Sequence, residues 1–312
     1  MSKTAFLFPG QGSQTPGMAS ALADASPAAR SVLNRIDDAL SQNLSQLMAD
    51  GPADELTLTA NAQPALFASS LAVCAAISEI TGKELPHFGD VVAGHSLGEY
   101  SALAAAGVFD IETGAKLLRI RGDAMQAAVP VGKGAMAALI GADIALADKI
   151  VSSAQSAGIV QIANDNAPGQ VVISGSVEGV DAAMAAANEE GLKRVLKLPV
   201  SAPFHSTLMA PAADAMADAL SATDFSAPSL AILCNVTAAL ETNSDNLRAN
   251  LITQVTGRVR WRESLQALQD AGVTRFIELG TGKVLSGLVK RTLKDVEIIS
   301  VETADDIEKQ FT

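Results

Sequence analysis

The sequence predicts an α/β protein in which a main domain built on a parallel sheet carries an inserted β-α-β-β-α-β subdomain. Two features lead to this fold class: short apolar runs are each followed by a glycine-rich loop or a helix-like segment, as in parallel sheets, and a separate strand-helix alternation fills residues 134–198. The length of 312 residues also exceeds what one core usually organises. We therefore expect two structural units.

The first elements surround two junctions between a strand and a loop. Residues 4–8, TAFLF, form the first predicted strand, and the glycine-rich loop FPGQGSQ follows it. A long and largely buried helix is predicted over residues 61–81, because Asn61 opens the segment and Gly82 follows it. The run DVVAG, residues 90–94, is short, β-branched and apolar, as suits a strand covered on both faces, and a helix-like segment comes directly after it.

The middle of the chain has the β-α-β-β-α-β order of a ferredoxin-like subdomain. Its strands are GAMAALI, GIVQIAN, QVVISG and KRVLKL, with helices at 143–156 and 177–190. The flanking segments VPVGKG and LPVSAP contain the proline and glycine typical of crossings between units. We therefore place the subdomain at residues 131–199 and a discontinuous main domain at 1–130 and 200–312.

The strand-helix alternation of the main domain resumes after the insertion. We predict a helix at 207–221, a strand at 229–234, helices at 245–255 and 262–271, and a strand at 275–279.

Composition excludes several classes of function. Hydrophobic residues make up 48% of the chain and charged residues 18%, as in compact globular proteins, and the formal net charge of −12 disfavours nucleic-acid binding. The N-terminus lacks a signal-peptide pattern, and no segment approaches the roughly 18 apolar residues of a membrane span, so we expect a cytoplasmic protein. The sequence shows no metal-binding cluster, and Cys74 and Cys234 are expected to be free buried thiols.

The stretch GHSLG matches a nucleophile elbow. Ser96 lies between Gly94 and Gly98, directly after a predicted strand and before a predicted helix. In such an elbow the serine occupies a sharp turn, and the glycines prevent side-chain clashes where the backbone doubles back. Ser96 is therefore the candidate nucleophile, and it needs a base to take its proton.

Three histidines are candidates for that base. His95 is adjacent to Ser96, and side chains diverge on a tight turn, so we expect it to pack against or orient the loop. His87 lies in a connection bounded by proline and glycine, where an exposed role is the simpler interpretation. Elimination leaves His205, in the loop PVSAPFHS just past the insertion, as the predicted base.

An elbow serine also needs donors for the oxyanion of its tetrahedral intermediate. One comes from the backbone N–H of the next residue, Leu97, and a second from another strand-loop junction, for which the Gln11 N–H is the candidate. A nucleotide site in this glycine loop is disfavoured, because neither G-x-x-x-x-G-K-[ST] nor G-x-G-x-x-G follows the first strand.

Six motifs in this order resemble those of the malonyl-CoA:acyl carrier protein transacylases of bacterial fatty acid synthesis: FPGQGSQ, GHSLGEY, RGDAMQ, NAPGQVVISG, SAPFHS and QVTGRVRW. The resemblance spans nearly the whole chain and implies a hydrolase-like main domain with a ferredoxin-like insertion. It also implies that malonyl-CoA is the substrate, that acyl carrier protein is the partner bearing phosphopantetheine, and that no cofactor is bound. By resemblance, the site residues are the nucleophile Ser96, the base His205, the oxyanion donors Gln11 and Leu97, the carboxylate-binding Arg121 and the histidine-orienting Gln254.

Physical arguments accompany these roles. A malonyl group ends in a carboxylate, which a planar guanidinium can hold bidentately. Arg119 and Arg121 are two apart on a predicted helix and project in nearly opposite directions, so only one can face the site, and the resemblance selects Arg121. Because Gln254 occupies the orienting position, a neutral carbonyl is expected to hold the histidine in a Ser-His dyad. By the same resemblance, Phe204, directly before the predicted base, is expected to line the acyl pocket.

Two basic clusters are candidates for docking an acidic carrier protein, since the enzyme itself is acidic and must present a local positive face. One cluster precedes the histidine loop and the other lies near the C-terminus: Lys193, Arg194 and Lys197, and Lys283, Lys290, Arg291 and Lys294.

Two other functions remain open from the sequence. A serine thioesterase or other hydrolase shares the elbow, but such chains normally carry an acidic orienter for the histidine. A non-catalytic scaffold could keep the fold and dock carrier protein, although intact Ser96, His205 and Arg121 argue against it.

Overall fold

The computed structural model describes residues 3–200 and 202–312. The strands in these ranges are β1 (Lys3–Phe8), β2 (Val91–Gly94), β3 (Gly134–Ile140), β4 (Val160–Ala167), β5 (Gln170–Ser176), β6 (Arg194–Lys197), β7 (Ala231–Leu233), β8 (Leu240–Glu241), β9 (Val273–Leu279) and β10 (Glu297–Val301).

The α-helices in the same ranges are α1 (Ser20–Ala25), α2 (Pro27–Leu40), α3 (Leu44–Asp50), α4 (Ala53–Thr57), α5 (Thr59–Thr81), α6 (Gly98–Ala105), α7 (Ile111–Ala127), α8 (Ile144–Ala154), α9 (Val177–Glu189), α10 (Ala210–Ser221), α11 (Ser244–Thr256), α12 (Trp261–Asp270), α13 (Val284–Thr292) and α14 (Ala304–Phe311). Short 3₁₀ turns cover Leu85–His87 and Thr207–Met209.

The main sheet has the order β10-β9-β1-β2-β7-β8, and only the edge strand β8 runs antiparallel to its neighbour. Its central strand β1 is buried on both faces: Phe6 and Phe8 belong to one hydrophobic cluster, Ala5 and Leu7 to another. Because Phe8 pairs with Gly94, the loops that leave β1 and β2 lie side by side at the carboxyl edge of the sheet. Open α/β sheets bind their ligands at this edge.

The second sheet is antiparallel with the order β4-β5-β3-β6, which is the ferredoxin-like arrangement. Alternate residues of β3 face opposite ways. Ala137 and Leu139 pack in a cluster with α8 and α9, whereas Met136 and Ala138 join the core shared with the main sheet. The predicted α/β fold class with a β-α-β-β-α-β insertion is confirmed, and the residue boundaries of the two domains stay a prediction.

Helix α5 runs through the core next to the site. It begins at Thr59, two residues before the predicted start at Asn61, and Pro64 lies inside its first turns. Its 23 residues and a mean hydropathy of 1.5 over an 18-residue window are sufficient for a membrane span, so the expectation that no segment approaches one is wrong for this helix. However, 67% of that window is buried inside the protein, as in a core helix of a soluble protein.

Several elements near the C-terminus were not predicted: β8, β10, α13 and α14. Strand β10 lies at the edge of the sheet and is mostly half-buried, so its sequence lacks the continuous apolar character of the inner strands. Helix α14 did have a sequence signal, a capping box between Thr303 and Asp306. Strand β4 also continues to Ala167, three residues past its predicted end, through two shifts in register against β5.

Candidate active site

Ser96 stands on a sharp turn between β2 and α6, in a left-handed backbone conformation with φ of 55°. A Cβ on Gly94 would lie 1.9 Å from the carbonyl carbon and oxygen of Gly98, and a Cβ on Gly98 would lie 2.2 Å from the Phe8 oxygen. Both positions therefore require glycine, because the turn folds back on itself and packs directly against the end of β1. This is the geometry of a nucleophile elbow.

Asn235, at the end of β7, fixes the elbow from the side. Its Oδ1 accepts a hydrogen bond from the Ser96 N–H at 2.7 Å, and its Nδ2 donates to the Gly94 oxygen at 2.7 Å. The side chain is fully buried, so these bonds are shielded from water. Sequence analysis did not identify Asn235, because an asparagine after a strand is also an ordinary turn residue.

The Ser96 Oγ lies 2.8 Å from the His205 Nε2. The opposite ring nitrogen, Nδ1, faces the main-chain oxygens of Gln254 at 2.9 Å and Gly257 at 3.1 Å. Two carbonyl acceptors require a proton on Nδ1, which leaves Nε2 with the lone pair that accepts from the serine hydroxyl. Burial, followed by the positive charge of Arg121, lowers the pKa of His205 to about 3, so the imidazole is neutral at physiological pH.

Arg121 lies on α7 with 2% of its surface exposed and has no ion pair among the residues that the structure describes. Its Nη1 donates to Gln63 Oε1 at 2.7 Å, and its Nη2 donates to Gln254 Oε1 at 2.9 Å and to Ser96 Oγ at 3.1 Å. The Nε has no hydrogen-bond partner in the described ranges. Burying a cation without an ion pair is costly, so an anion bound at Arg121 would be stabilised.

Arg119, two residues earlier, points elsewhere. It donates hydrogen bonds to Asn61 at 3.1 Å and to Gln42, outside the cavity around Ser96. The opposite orientation of the two arginines follows from their spacing on the helix.

Gln254 joins the serine, the histidine and the arginine. Its main-chain oxygen accepts from His205, its Oε1 accepts from Arg121, and its Nε2 donates to the Ser96 oxygen at 2.9 Å. The same Nε2 donates to Glu99 Oε2 at 2.7 Å. Gln254 thus contacts the histidine through its main chain, while its amide is bound to other groups of the site.

The two main-chain N–H groups predicted to bind an oxyanion belong to residues that line the same cavity as Ser96. Those of Gln11 and Leu97 have no hydrogen-bond partner among residues 3–200 and 202–312. Leu97 caps the N-terminus of α6, where the helix dipole also favours negative charge. The Gln11 side chain accepts from Thr59 at 3.1 Å, and Thr59 in turn accepts from Gln63 at 2.9 Å, so this loop is linked to the partner of Arg121.

A cavity of about 320 Å³ brings these groups together. Hydrogen-bonding side chains from the main-sheet side form what we call the polar wall: Gln11, Gln63, His95, Ser96 and Arg121. Apolar side chains from β3, β5 and the segment after β6 form what we call the apolar wall: Met136, Val172, Leu198, Val200 and Phe204. Asn164 and Asn166 of β4 also line the cavity. The size and mixed lining suit a short polar acyl group on a longer chain.

The other two histidines lie away from the serine hydroxyl. His95 Nε2 lies 2.8 Å from Asn166 Oδ1, and its ring packs edge-on against Trp261 at 5.4 Å. His87 lies in an exposed 3₁₀ turn against Phe88. Neither contacts Ser96 Oγ.

Both basic clusters are exposed. In the first, Lys197 pairs with Asp181 at 2.8 Å, and in the second, Arg291 donates to Gln170 at 3.1 Å. No group of three metal-ligating side chains occurs in the described part of the chain, and its two cysteines, Cys74 and Cys234, are free thiols.

A known protein family and known relatives match nearly the whole chain. Residues 5–309 match the family described as acyl transferase domain. The malonyl CoA-acyl carrier protein transacylase of Bacillus subtilis strain 168 is 45% identical over 309 residues, which cover 99% of this chain and 96% of that protein.

Solved structures are similar over nearly the full length. An acyl-carrier-protein-S-malonyltransferase from Bartonella henselae has a TM-score of 0.96 at 50% identity, with 98% of each chain covered. A structure described as a type II PKS acyl-carrier protein in complex with its malonyl-transacylase has a TM-score of 0.95 at 39% identity, with 99% of each chain covered. This chain therefore belongs to the acyl transferase domain family and, within it, to the malonyl-CoA:acyl carrier protein transacylases.

Proposed function

We propose that this protein moves the malonyl group from malonyl-CoA to the phosphopantetheine thiol of acyl carrier protein, through a malonyl ester on Ser96, in fatty acid biosynthesis. The observation that carries the proposal is the Arg121 guanidinium, which is buried without an ion pair and lies 3.1 Å from the Ser96 hydroxyl. An esterase for neutral acyl groups has no use for such a cation, whereas a malonyl carboxylate needs one.

In the first half-reaction, His205 Nε2 takes the Ser96 proton as the Oγ attacks the thioester carbonyl. The N–H groups of Gln11 and Leu97 stabilise the oxyanion. The C–S bond then breaks, the thiolate of CoA takes the proton from His205, and malonyl-Ser96 remains.

The second half-reaction reverses this chemistry with a different thiol. The phosphopantetheine thiol gives its proton to His205 and attacks the ester carbonyl, and the bond to Ser96 Oγ breaks as the serine recovers its proton. The substrates are sufficient for both steps, so we propose that no bound cofactor or metal takes part. The result is a ping-pong reaction that uses a Ser-His dyad.

A serine thioesterase remains the alternative. It would use the same elbow with water as the second acceptor, and such enzymes usually orient the histidine with a carboxylate. Here the partners of His205 Nδ1 are two main-chain carbonyls, which favours the transferase.

Three further predictions accompany this function. We propose that residues 131–199 form a subdomain on a main domain made of 1–130 and 200–312, and that Phe204 and the subdomain shape the acyl pocket. We also propose that the protein acts in the cytoplasm, where malonyl-CoA and carrier protein are both present.

We further propose that one of the two basic clusters docks carrier protein. Reversing charge at Lys193 and Arg194, or at Lys283 and Lys290, should slow transfer to carrier protein more than it slows acylation by malonyl-CoA, and more so at low salt. Lys309→Glu, an exposed lysine on α14, serves as the control. If neither pair changes the ratio of the two rates relative to this control, the docking assignment is wrong.

Release of CoA, measured with and without carrier protein, tests the function. With malonyl-CoA alone, the transferase should release one equivalent of CoA per enzyme and stop, and holo carrier protein should restore turnover and gain the malonyl mass. Apo carrier protein, which lacks the thiol, should not. Steady release of CoA without any carrier protein would identify a hydrolase.

A further inference from the structure

Glu99 is a buried carboxyl group that the reaction does not use. It lies in the first turn of α6, three residues after Ser96, has 1% of its surface exposed and does not line the cavity. Acidic side chains are almost never buried this completely unless other groups satisfy them.

One oxygen of Glu99 connects two parts of the site. Its Oε2 accepts from the Asn235 main-chain N–H at 3.1 Å and from Gln254 Nε2 at 2.7 Å. Asn235 fixes the backbone of Ser96, and Gln254 contacts both His205 and Arg121. The other oxygen, Oε1, has no hydrogen-bond partner in the described ranges.

The contact with Gln254 decides which way that amide points. An amide has one donor end and one acceptor end. The Nε2 end faces two acceptors, Glu99 Oε2 and the Ser96 oxygen, so Oε1 must face the Arg121 guanidinium, which can only donate. Without the Glu99 carboxyl the amide loses one of the two acceptors that hold it, and a reversed amide would set an NH₂ group against the cation.

We propose that Glu99 is a positioning residue that fixes the orientation of the Gln254 amide and thereby holds Arg121 ready for the substrate carboxylate. This inference rests on the proposed function, because it assigns Glu99 to the selection of a charged acyl group. Its effect reaches the substrate through two other side chains, so it should appear in acyl selectivity more than in the covalent chemistry.

The charge of Glu99 is not needed for this role. Burial raises the pKa of Glu99 to about 7. The ionisable groups that face it are Tyr100 on α6, Arg121 on α7 and Cys234 after β7. A proton can bind to Oε1, which has no partner, and leave both bonds of Oε2 intact. A neutral amide at position 99 should therefore replace the carboxyl largely, whereas an apolar side chain should not.

Steady-state kinetics of Glu99→Leu and Glu99→Gln with malonyl-CoA and acetyl-CoA test this inference. In Glu99→Leu, the ratio of kcat/KM for malonyl-CoA to that for acetyl-CoA should fall about tenfold, mainly through a higher KM for malonyl-CoA. The reason is that a reversed Gln254 amide no longer accepts a hydrogen bond from Arg121. Glu99→Gln should recover most of the ratio. Adding Gln254→Leu to Glu99→Leu should lower the ratio no further than Gln254→Leu alone.

Glu278 is a matched control. It is also fully buried, and it accepts main-chain hydrogen bonds from Leu285 at 3.0 Å and Ser286 at 2.7 Å outside the cavity. Glu278→Leu should lower stability but change kcat/KM for both acyl donors by the same factor. If Glu99→Leu does not fold, Glu99→Asp, which withdraws the carboxyl by one methylene, is judged by the same ratio.

The outcomes separate the two proposals. If the wild-type protein forms no malonyl ester on Ser96, the proposed function fails. A second outcome is that the wild type is active but the position-99 variant lowers kcat/KM for both acyl donors by the same factor, as expected for Glu278→Leu. In that case Glu99 is only structural and the inference is overturned. A Glu99→Gln variant no better than Glu99→Leu would also overturn it.

Discussion

The two walls of the cavity are built on opposite principles. Most side chains of the polar wall bind another side chain: Gln11 is linked through Thr59 to Gln63, and Gln63 binds Arg121, which reaches Ser96. The side chains of the apolar wall carry no N–H or O–H groups, so they line the cavity without hydrogen bonds to one another. A change in the polar wall should therefore spread through the network, and a change in the apolar wall should stay local.

The two walls should therefore select different properties of the acyl group. Directional bonds to buried partners are costly to break, since each removal leaves a polar group unsatisfied at about 1 to 3 kcal/mol. Apolar contacts tolerate changes of volume more cheaply, and one methylene changes substrate discrimination by about 1 to 3 kcal/mol. We expect the polar wall to determine whether the acyl group is charged and the apolar wall to determine how bulky it is.

Replacing Arg121 should give the largest change in acyl preference. Arg121→Ala leaves the malonyl carboxylate unpaired in a buried site, a loss of about 2 to 5 kcal/mol in transition-state binding. Acetyl-CoA needs no cation and should lose much less. The measurement is kcat/KM for both donors in the wild type and the variant.

Arg119→Ala is the control for this prediction, because Arg119 lies on the same helix and binds Asn61 and Gln42 outside the cavity. It should leave the preference for malonyl-CoA unchanged. If Arg121→Ala lowers kcat/KM for both donors by the same factor, Arg121 supports the fold, and the division of tasks between the two walls is wrong.

The sequence identified Ser96, His205 and Arg121, which the structure brings into contact, more readily than the residues that hold them in place. Ser96 followed from its glycines, Arg121 from helical spacing together with family resemblance, and His205 from elimination among three histidines. Each of these signals is local or depends on a rare residue type. Glu99 and Gln63 gave no comparable signal, because an acid or an amide in a helix is ordinary and only the fold reveals its partner.

Sequence separation explains this limit. Glu99 and Gln254 are 155 residues apart, and Ser96 and Asn235 are 139 apart. The acceptors for His205 are main-chain carbonyls, which every residue has, so no side-chain pattern could have identified Gly257. The edge strand β10 was missed for a related reason, since pairing with β9 determines it more than its own hydrophobicity does.

A smaller effect is expected in the apolar wall. Phe204, 9% exposed, lines the cavity directly before His205, and we expect its ring to crowd an α-methyl branch on the acyl group. Phe204→Ser should raise kcat/KM for methylmalonyl-CoA relative to malonyl-CoA about tenfold. Phe225→Ser, which removes a ring packed on Phe109 outside the cavity, should not shift this preference. Equal ratios in both variants would refute the role of Phe204.

The smallest effect is expected for the rate of serine acylation when the pH is varied. Since the pKa of His205 is held at about 3, its neutral, basic form persists until the pH approaches that value. The rate of serine acylation should change less than about threefold between pH 8 and 5, whereas a histidine with an ordinary pKa would lose about thirtyfold. Stopped-flow release of CoA measures this rate.

The stability of the fold at low pH limits the pH range over which this rate can be measured. Because the pKa of His205 is lower in the folded protein, the unfolded chain binds the proton more readily. The folded state therefore loses stability relative to the unfolded state as the pH falls from 6.5 towards 3. Circular dichroism at each pH confirms that the protein is folded. A rate that falls tenfold per pH unit below 6.5 in folded protein would show that His205 titrates normally.

Intact-protein mass spectrometry after mixing with malonyl-CoA shows whether Ser96 carries the malonyl group. We expect a gain of one malonyl mass, mapped by peptide analysis to Ser96, absent in Ser96→Ala and removed by holo carrier protein. An adduct that persists in Ser96→Ala, or one that maps to another residue, would show that Ser96 is not the nucleophile.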